Sequence, residues 1–334
     1  MRIVAGLCLL ACLAGGARGQ DTPDYEDQVT AKKRLLPGVG AGLRAVKRGP
    51  DGNFYVLTAP GSSVSVFDPA GKLLRRIPAY EETKGPQSPS LVGIVYGEDM
   101  DVDAQGTVYV ADRGANAVKI WDRQGNAHEV KVNAPVSVAA LPDGEFAVTT
   151  VRQQQLVVVY DKSGRDVREF GEAEPISERP ELNRFLSIGI LVTDSVGHLY
   201  YAFPYLPEPT VREYDRFGYV GQEYQYTGID AWPAAQAMRK EIAKQESRID
   251  APIFKRILTA VGADPSNGEV WMALGDDVLH FDKEGNRRAS YHVYTPEGAR
   301  LDANLILVEP DRLIIGSDPL GVYEFARPDK KSAP

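Results

Sequence analysis

The chain has 334 residues, 43% of them hydrophobic, and its 46 acidic against 38 basic side chains give a formal charge of −8. That balance argues against general binding to nucleic acid or anionic membrane, both of which need a basic footprint. The only two cysteines, Cys8 and Cys12, lie in the first 19 residues, so the rest of the chain has no internal disulfide, thiolate metal site or thiol nucleophile.

Residues 1–19 read as a secretory signal. Arg2 supplies the positive start, Ile3–Leu13 the apolar run, and Ala17 and Gly19 the small residues before a cut at Gln20. The run is too short to stay as a transmembrane anchor. Leu9-Leu10-Ala11-Cys12 also resembles a bacterial lipoprotein box, which would place a lipid anchor on Cys12. Both readings export the protein, to the periplasm or beyond. Loss of Arg2 and Arg18, and of no acid, deepens the charge from −8 to −10. Residues 20–28 are polar and acidic and are expected to form a flexible leader. Val29–Leu36 is an apolar-punctuated segment with no local partner.

A unit then recurs. Pro50–Val56 (PDGNFYV) precedes Val64–Lys72 (VSVFDPAGK), and the second copy is the clearest: Asp101–Asn126, DVDAQGTVYVADRGANAVKIWDRQGN. The third is Pro142–Val148 with Val157–Arg165, and the fourth Asp194–Phe203 with Val211–Tyr219. The fifth is Ser266–Leu274 with Val278–Asn286. The sixth, degenerate, is Pro310–Ser317 with Val322–Pro328. One slot marks them as true repeats: an aromatic before the second turn, at Phe67, Trp121, Tyr160, Tyr214, Phe281 and Phe325. In five copies it is followed by D-x-x-G, an acid that bonds nearby N–H groups and a Gly free to take positive φ. A repeat of roughly 40–55 residues carrying several short strands predicts propeller blades rather than a helical solenoid.

The second copy resembles NHL-type repeats of six-bladed β-propellers, whose units carry D-x-x-G-x-[IVLF]-[YW]-V-[AT]-D. Here that stretch is Asp103–Asp112, and the other copies replace Asp112 by Thr58, Thr150, Phe203 and Gly275. The resemblance implies an all-β, six-bladed propeller of four-stranded antiparallel blades. That propeller spans residues 29–328, with residues 329–334 a C-terminal tail. The last blade lacks a fourth strand of its own, so Val29–Leu36 is expected to supply it and close the ring, removing two exposed edges. The largest insertion predicts a helix over about residues 230–249, with Asp230 as N-cap and Trp232, Ala235, Met238 and Ile242 in its apolar stripe. It either plugs the ring's side or caps the channel.

Strand alternation puts the tight turns on one face and the variable loops on the other, where binding residues belong. On that loop face Arg113, Arg152, Tyr205 and Trp232 are the candidate ligand contacts: two guanidinium forks suited to carboxylate or phosphate, and two aromatics. Asp99 and Asp101 share a face of the second blade's inner strand. They would hold Ca²⁺ or another divalent cation in the channel, stand as solvated acids at its rim, or pair with Lys47. His128, His198, His280 and His292 do not converge, and no H-E-x-x-H, G-x-S-x-G, S-x-x-K or phosphate loop is present. The leading expectation is an exported, non-enzymatic propeller that binds a protein, peptide or glycan, without a cofactor. The alternative is a metal-assisted hydrolase or lyase resembling gluconolactonase-like propellers.

Overall fold

The computed structural model describes residues 26–78, 93–150, 155–228, 231–247 and 254–330. The first elements among the described residues are β1 (Glu26–Thr30) and β2 (Lys33–Arg34). Blade 1 follows as β3 (Leu43–Arg48), β4 (Phe54–Thr58), β5 (Val64–Phe67) and β6 (Leu73–Ile77). Blade 2 is β7 (Gly97–Val102), β8 (Val108–Asp112), β9 (Ala117–Trp121) and β10 (Ala127–Lys131). Blade 3 is β11 (Pro135–Ala140), β12 (Phe146–Thr150), β13 (Val157–Tyr160) and β14 (Asp166–Phe170). The helix α1 (Pro180–Leu186) leads into blade 4: β15 (Ile190–Thr193), β16 (Leu199–Phe203), β17 (Thr210–Tyr214) and β18 (Val220–Gln225). The helix α2 (Trp232–Glu246) leads into blade 5: β19 (Ala260–Ala263), β20 (Val270–Leu274), β21 (Asp277–Phe281) and β22 (Arg287–Tyr294). Blade 6 is β23 (Leu305–Val308), β24 (Arg312–Ser317) and β25 (Gly321–Ala326). This is a six-bladed propeller with antiparallel blades.

The ring closes as the sequence predicts, and by more contacts. β2 pairs antiparallel with β25 and completes blade 6. Upstream, β1 adds a parallel fifth strand to the outer edge of blade 5, Gln28 opposite His292. Glu26–Gln28 therefore belong to a strand, which corrects the expected leader: the unpaired edge of β22 offers its N–H and C=O groups to the incoming chain. The crossing between the two blades is bonded too, Ala31 N–H to Tyr294 O at 2.8 Å and Lys32 N–H to Glu324 O at 2.7 Å. Leu35 and Leu36 are then buried with Phe54 of blade 1 and Ile314 and Val322 of blade 6.

The repeat's invariant features have separate jobs. The aromatics Phe67, Trp121, Tyr160, Tyr214 and Phe281 end the third strand of their blades, Phe325 is the last but one residue of β25, and all six are buried between sheets. The following acids accept backbone N–H bonds across their own turns, as Asp122 does from Asn126 (2.8 Å) and Asp215 from Phe217 (2.8 Å) and Tyr219 (2.9 Å). The turn glycines Gly71, Gly125, Gly164, Gly218 and Gly285 sit at φ of 82–91°, a region an L side chain disfavours. Asp112 does something different. Its two oxygens take the N–H groups of Val95 and Tyr96, each at 2.8 Å, and pin the loop that enters blade 2.

A buried charge joins blades 5 and 6 on the tight-turn side. Arg327 follows β25 and is wholly buried against Asp264, itself buried after β19; its other nitrogens reach Asp329 at 2.5 Å and 3.0 Å. Nearby, His280 stacks on Trp271 with ring centroids 4.1 Å apart, and its Nε2 lies 3.2 Å from Glu269. Burial holds the imidazole below its ordinary value of 6.5, against the pull of Glu269 and Asp329. The neutral ring is therefore the native form. Between 6.5 and the lower folded value the unfolded chain binds more protons, so stability falls as pH drops through that window. Urea midpoints measured across it should fall less for His280→Phe than for the parent. Equal slopes would assign the effect to another group.

Candidate functional site

Each blade presents its innermost strand to the axis, so β3, β7, β11, β15, β19 and β23 line a narrow tunnel of about 250 Å³. Asp99 and Asp101 reach the neighbouring strand β11 rather than an open coordination point. Asp99 Oδ2 accepts from Ser137 Oγ at 2.5 Å and Val138 N–H at 3.2 Å, and its Oδ1 from Met100 N–H at 2.8 Å. Asp101 Oδ2 accepts from Ala140 N–H at 2.9 Å, while Oδ1 accepts from Val102 N–H at 2.9 Å and sits 3.2 Å from Lys47 Nζ. Burial pushes the Asp99 carboxyl above the usual carboxylate range, only partly offset by Lys47 and Ser137. For Lys47, burial pulls down, but Asp101 and Asp99 outweigh it and the ammonium is held above its ordinary value. These acids weld blade 2 to blade 3 and neutralise Lys47. They occupy the tunnel wall with their lone pairs already engaged.

At the loop-face mouth Glu98 is clamped by two arginines, Arg44 at 2.5 Å and Arg113 at 3.2 Å. Arg44 also donates to Tyr96 Oη at 2.6 Å and lies 4.3 Å from that ring's centroid. Arg113 thus stands at the rim as expected but is already paired with an acid; Arg152 lies outside the described residues.

The loop face departs most from a plain ring over blades 4 and 5. Both helices lie in blade-to-blade connections, which strand parity places on the same side as the variable middle loops. α2 buries Ala235, Met238, Ile242 and Gln245. Its stripe packs against Leu182 and Leu186 of α1 and against Ile257, with Tyr205 and Phe254 beside them. The two helical segments are tied by Arg179, which donates to Gln245 O at 2.8 Å, and by Ser177 Oγ, 2.8 Å from Glu246 Oε1. α1 escaped sequence reasoning because seven residues give too few turns for a periodicity; Pro180 at its first turn was the available signal.

Two expectations need correction here. Trp232 is not part of the buried stripe: it is the first residue of α2 and is 56% exposed. The capping position falls on Ala231, which makes no side-chain cap bond; Asp230 lies outside the described residues. Tyr205 is half-buried in the helical cluster, 5.8 Å from the Phe185 ring, and its hydroxyl accepts a long bond (3.4 Å) from Arg256 Nε.

Between α2 and the loops of blades 5 and 6 runs a groove of about 860 Å³. Ala234, Ala237 and Met238 of α2 form one wall, and Phe254, Ile257 and Leu274 supply further apolar lining. Lys255, Arg256, Glu241, Asp277 and Asp302 give it a mixed charged rim. Arg256 and Asn304 line both the groove and the tunnel, so the groove meets the tunnel at its mouth. Apolar walls with a few polar groups are the usual make-up of a ligand seat. The sequence signalled the helix but not the groove, whose walls come from four separate segments between residues 231 and 304.

No family model matches the chain, and no curated protein matches it. Solved structures do. A streptogramin B lyase is 12% identical over 89% of this chain and 86% of its own, with a TM-score of 0.55. The protein U3-55K is 12% identical over 88% and 98%, with a TM-score of 0.54. A catalytically inactive virginiamycin B lyase from Staphylococcus aureus, solved with quinupristin, is 12% identical over 90% and 89%, with a TM-score of 0.51. At this identity what the chain shares with streptogramin B lyase and with U3-55K alike is the propeller.

Proposed function

We propose that this protein is an exported, non-enzymatic binding propeller built of NHL-like repeats, which seats a peptide segment in the groove beneath α2. The observation that carries the reading is the contrast between the two concave sites. The tunnel acids are each engaged by Lys47, Arg44, Arg113 or backbone N–H groups of β11. The groove presents apolar walls from α2 and the 254–257 segment with both signs of charge at its rim. An extended peptide with one or two apolar anchors and flanking charges matches that pattern. Export is supported by the signal-like residues 1–19, with the lipid-anchored form on Cys12 as its variant.

The test fills the groove. Ala237 is exposed on α2 and lies outside its buried stripe, so Ala237→Trp occupies the groove without disturbing the helix packing. Peptides enriched from a displayed random library on the parent protein are expected to bind the variant about tenfold or more weakly, at an unchanged urea midpoint. Failure to enrich any peptide, or equal binding to both proteins, overturns the reading.

The second reading, a metal-assisted hydrolase or lyase, draws on the lyases among the structural neighbours. It needs a channel cation at Asp99 and Asp101. Thermal unfolding with Ca²⁺ and with a chelator separates it from the first: a substantial shift, abolished in Asp101→Asn, would put the enzyme ahead.

A further inference from the structure

A second cluster of metal-ligating groups stands apart from the tunnel, on the loop face of blade 5. Asp276 lies in the two-residue connection between β20 and β21, Asp277 is the first residue of β21, and His292 lies directly across the ladder from Asp277. One ligand atom from each falls within 4.8 Å of the other two. His292 Nδ1 contacts Asp277 Oδ1 closely and lies 4.0 Å from Asp276 Oδ2. The backbone holds this arrangement: Val293 N–H bonds to Asp276 O at 3.3 Å, and Ala303 N–H to Gly275 O at 2.7 Å.

Arg300 supplies the observation that points to a cation. Its Nε lies 2.5 Å from Asp276 Oδ2 and its terminal nitrogen 3.2 Å from His292 Nδ1. The same ring nitrogen thus faces both the Asp277 carboxylate and a guanidinium. As N–H it suits Asp277 and opposes Arg300; as a lone pair it suits Arg300 and opposes Asp277. Asp276 Oδ2 is buried yet takes no well-aligned hydrogen bond. A positive charge at the shared centre resolves both conflicts, and Arg300, whose side chain is 59% exposed, is free to swing out. The other His–carboxylate cluster, Glu269, His280 and Asp329, differs here: its cation is the wholly buried Arg327.

We propose that Asp276, Asp277 and His292 form a binding site for a borderline divalent cation of the zinc type, with Arg300 as its displaceable stand-in. One imidazole and two carboxylates suit such an ion, whereas Ca²⁺ asks for six to eight oxygens. Tetrahedral ligands on bonds of about 2.0–2.1 Å stand about 3.3 Å apart, so the close His292–Asp277 contact opens slightly and the Asp276 contact shortens. Three protein ligands leave the fourth position to water. Asp277 also lines the groove, so the ion would sit at its edge.

Titration calorimetry of the purified protein with Zn²⁺ alone tests the site without reference to any groove ligand. One equivalent is expected to bind, with affinity reduced at least about tenfold in His292→Ala and in Asp276→Asn. Arg300→Gln should bind Zn²⁺ as tightly as the parent or more tightly, because it removes the competing charge. Urea midpoints of the variants check that each is folded. Absence of saturable binding, binding unchanged in both ligand variants, or loss of binding in Arg300→Gln overturns the assignment.

Discussion

Deleting the chain through Leu36 is expected to abolish cooperative folding. The deletion removes β1 and β2, exposing the edges of β22 and β25 together. It also strips Leu35 and Leu36 from a cluster they share with Phe54, Ile314 and Val322. Truncating a buried Leu costs roughly 2–5 kcal/mol, and two of them with the strand bonds approach the whole net stability of about 5–15 kcal/mol of a typical domain. The released edges are also templates for association. Size-exclusion chromatography should show aggregates, and urea unfolding should lose its sigmoid. A shorter deletion through Gln28 removes only part of β1 and should leave a monomer with a lowered midpoint. If the longer deletion stays monomeric and unfolds near the parental midpoint, ring closure by Val29–Leu36 is not what holds the propeller together.

Arg327→Ala should be the most damaging single substitution on the tight-turn side. It leaves Asp264, fully buried, facing an empty space where a guanidinium stood. Breaking a buried pair from one side typically costs about 3–5 kcal/mol, because the remaining charge is uncompensated. The loss also frees Glu309 O, which Arg327 reaches at 3.3 Å, and uncouples the end of blade 6 from blade 5. The companion variant is Arg327→Met with Asp264→Asn. Removing both charges should recover much of the loss, since the penalty lies in the orphaned ion more than in the absent attraction. Urea unfolding of the parent, single and double variants reads this directly. A double variant as unstable as the single would place the cost in lost packing against Trp271, whose ring lies 5.8 Å from the guanidinium.

The fold was legible because a propeller repeats its instructions. An aromatic, an acid and a Gly at fixed spacing recur in five copies, and each has a local physical meaning: core contact, turn bond and positive φ. Even the closing strand could be inferred, since the sixth copy supplies only three strands and Val29–Leu36 has no local partner. The site was less legible. Asp99 and Asp101 were read onto one face, and they share one. Whether that face offers empty lone pairs depends on Ser137, Val138 and Ala140, nearly 40 residues away. Trp232 matched a helical stripe by spacing, yet a helix's first residue can precede the contact surface, and here it does. His292 seemed isolated in sequence; only the pairing of β21 with β22 sets it opposite Asp277.

Periodic signals are local, so the sequence by itself determined the blades, their turns, their number and the faces on which variable loops gather. The apolar contacts between blades repeat with the aromatic slot, but the polar ones do not. The engagement of the tunnel acids, the groove under α2 and the buried Arg327–Asp264 pair all arise where one blade or connection meets another, while the Asp276–Asp277–His292 cluster arises from strand pairing inside blade 5, met there by Arg300 from the connection that follows. Tertiary structure alone decided them, because closing a ring brings together side chains that no spacing along the chain relates.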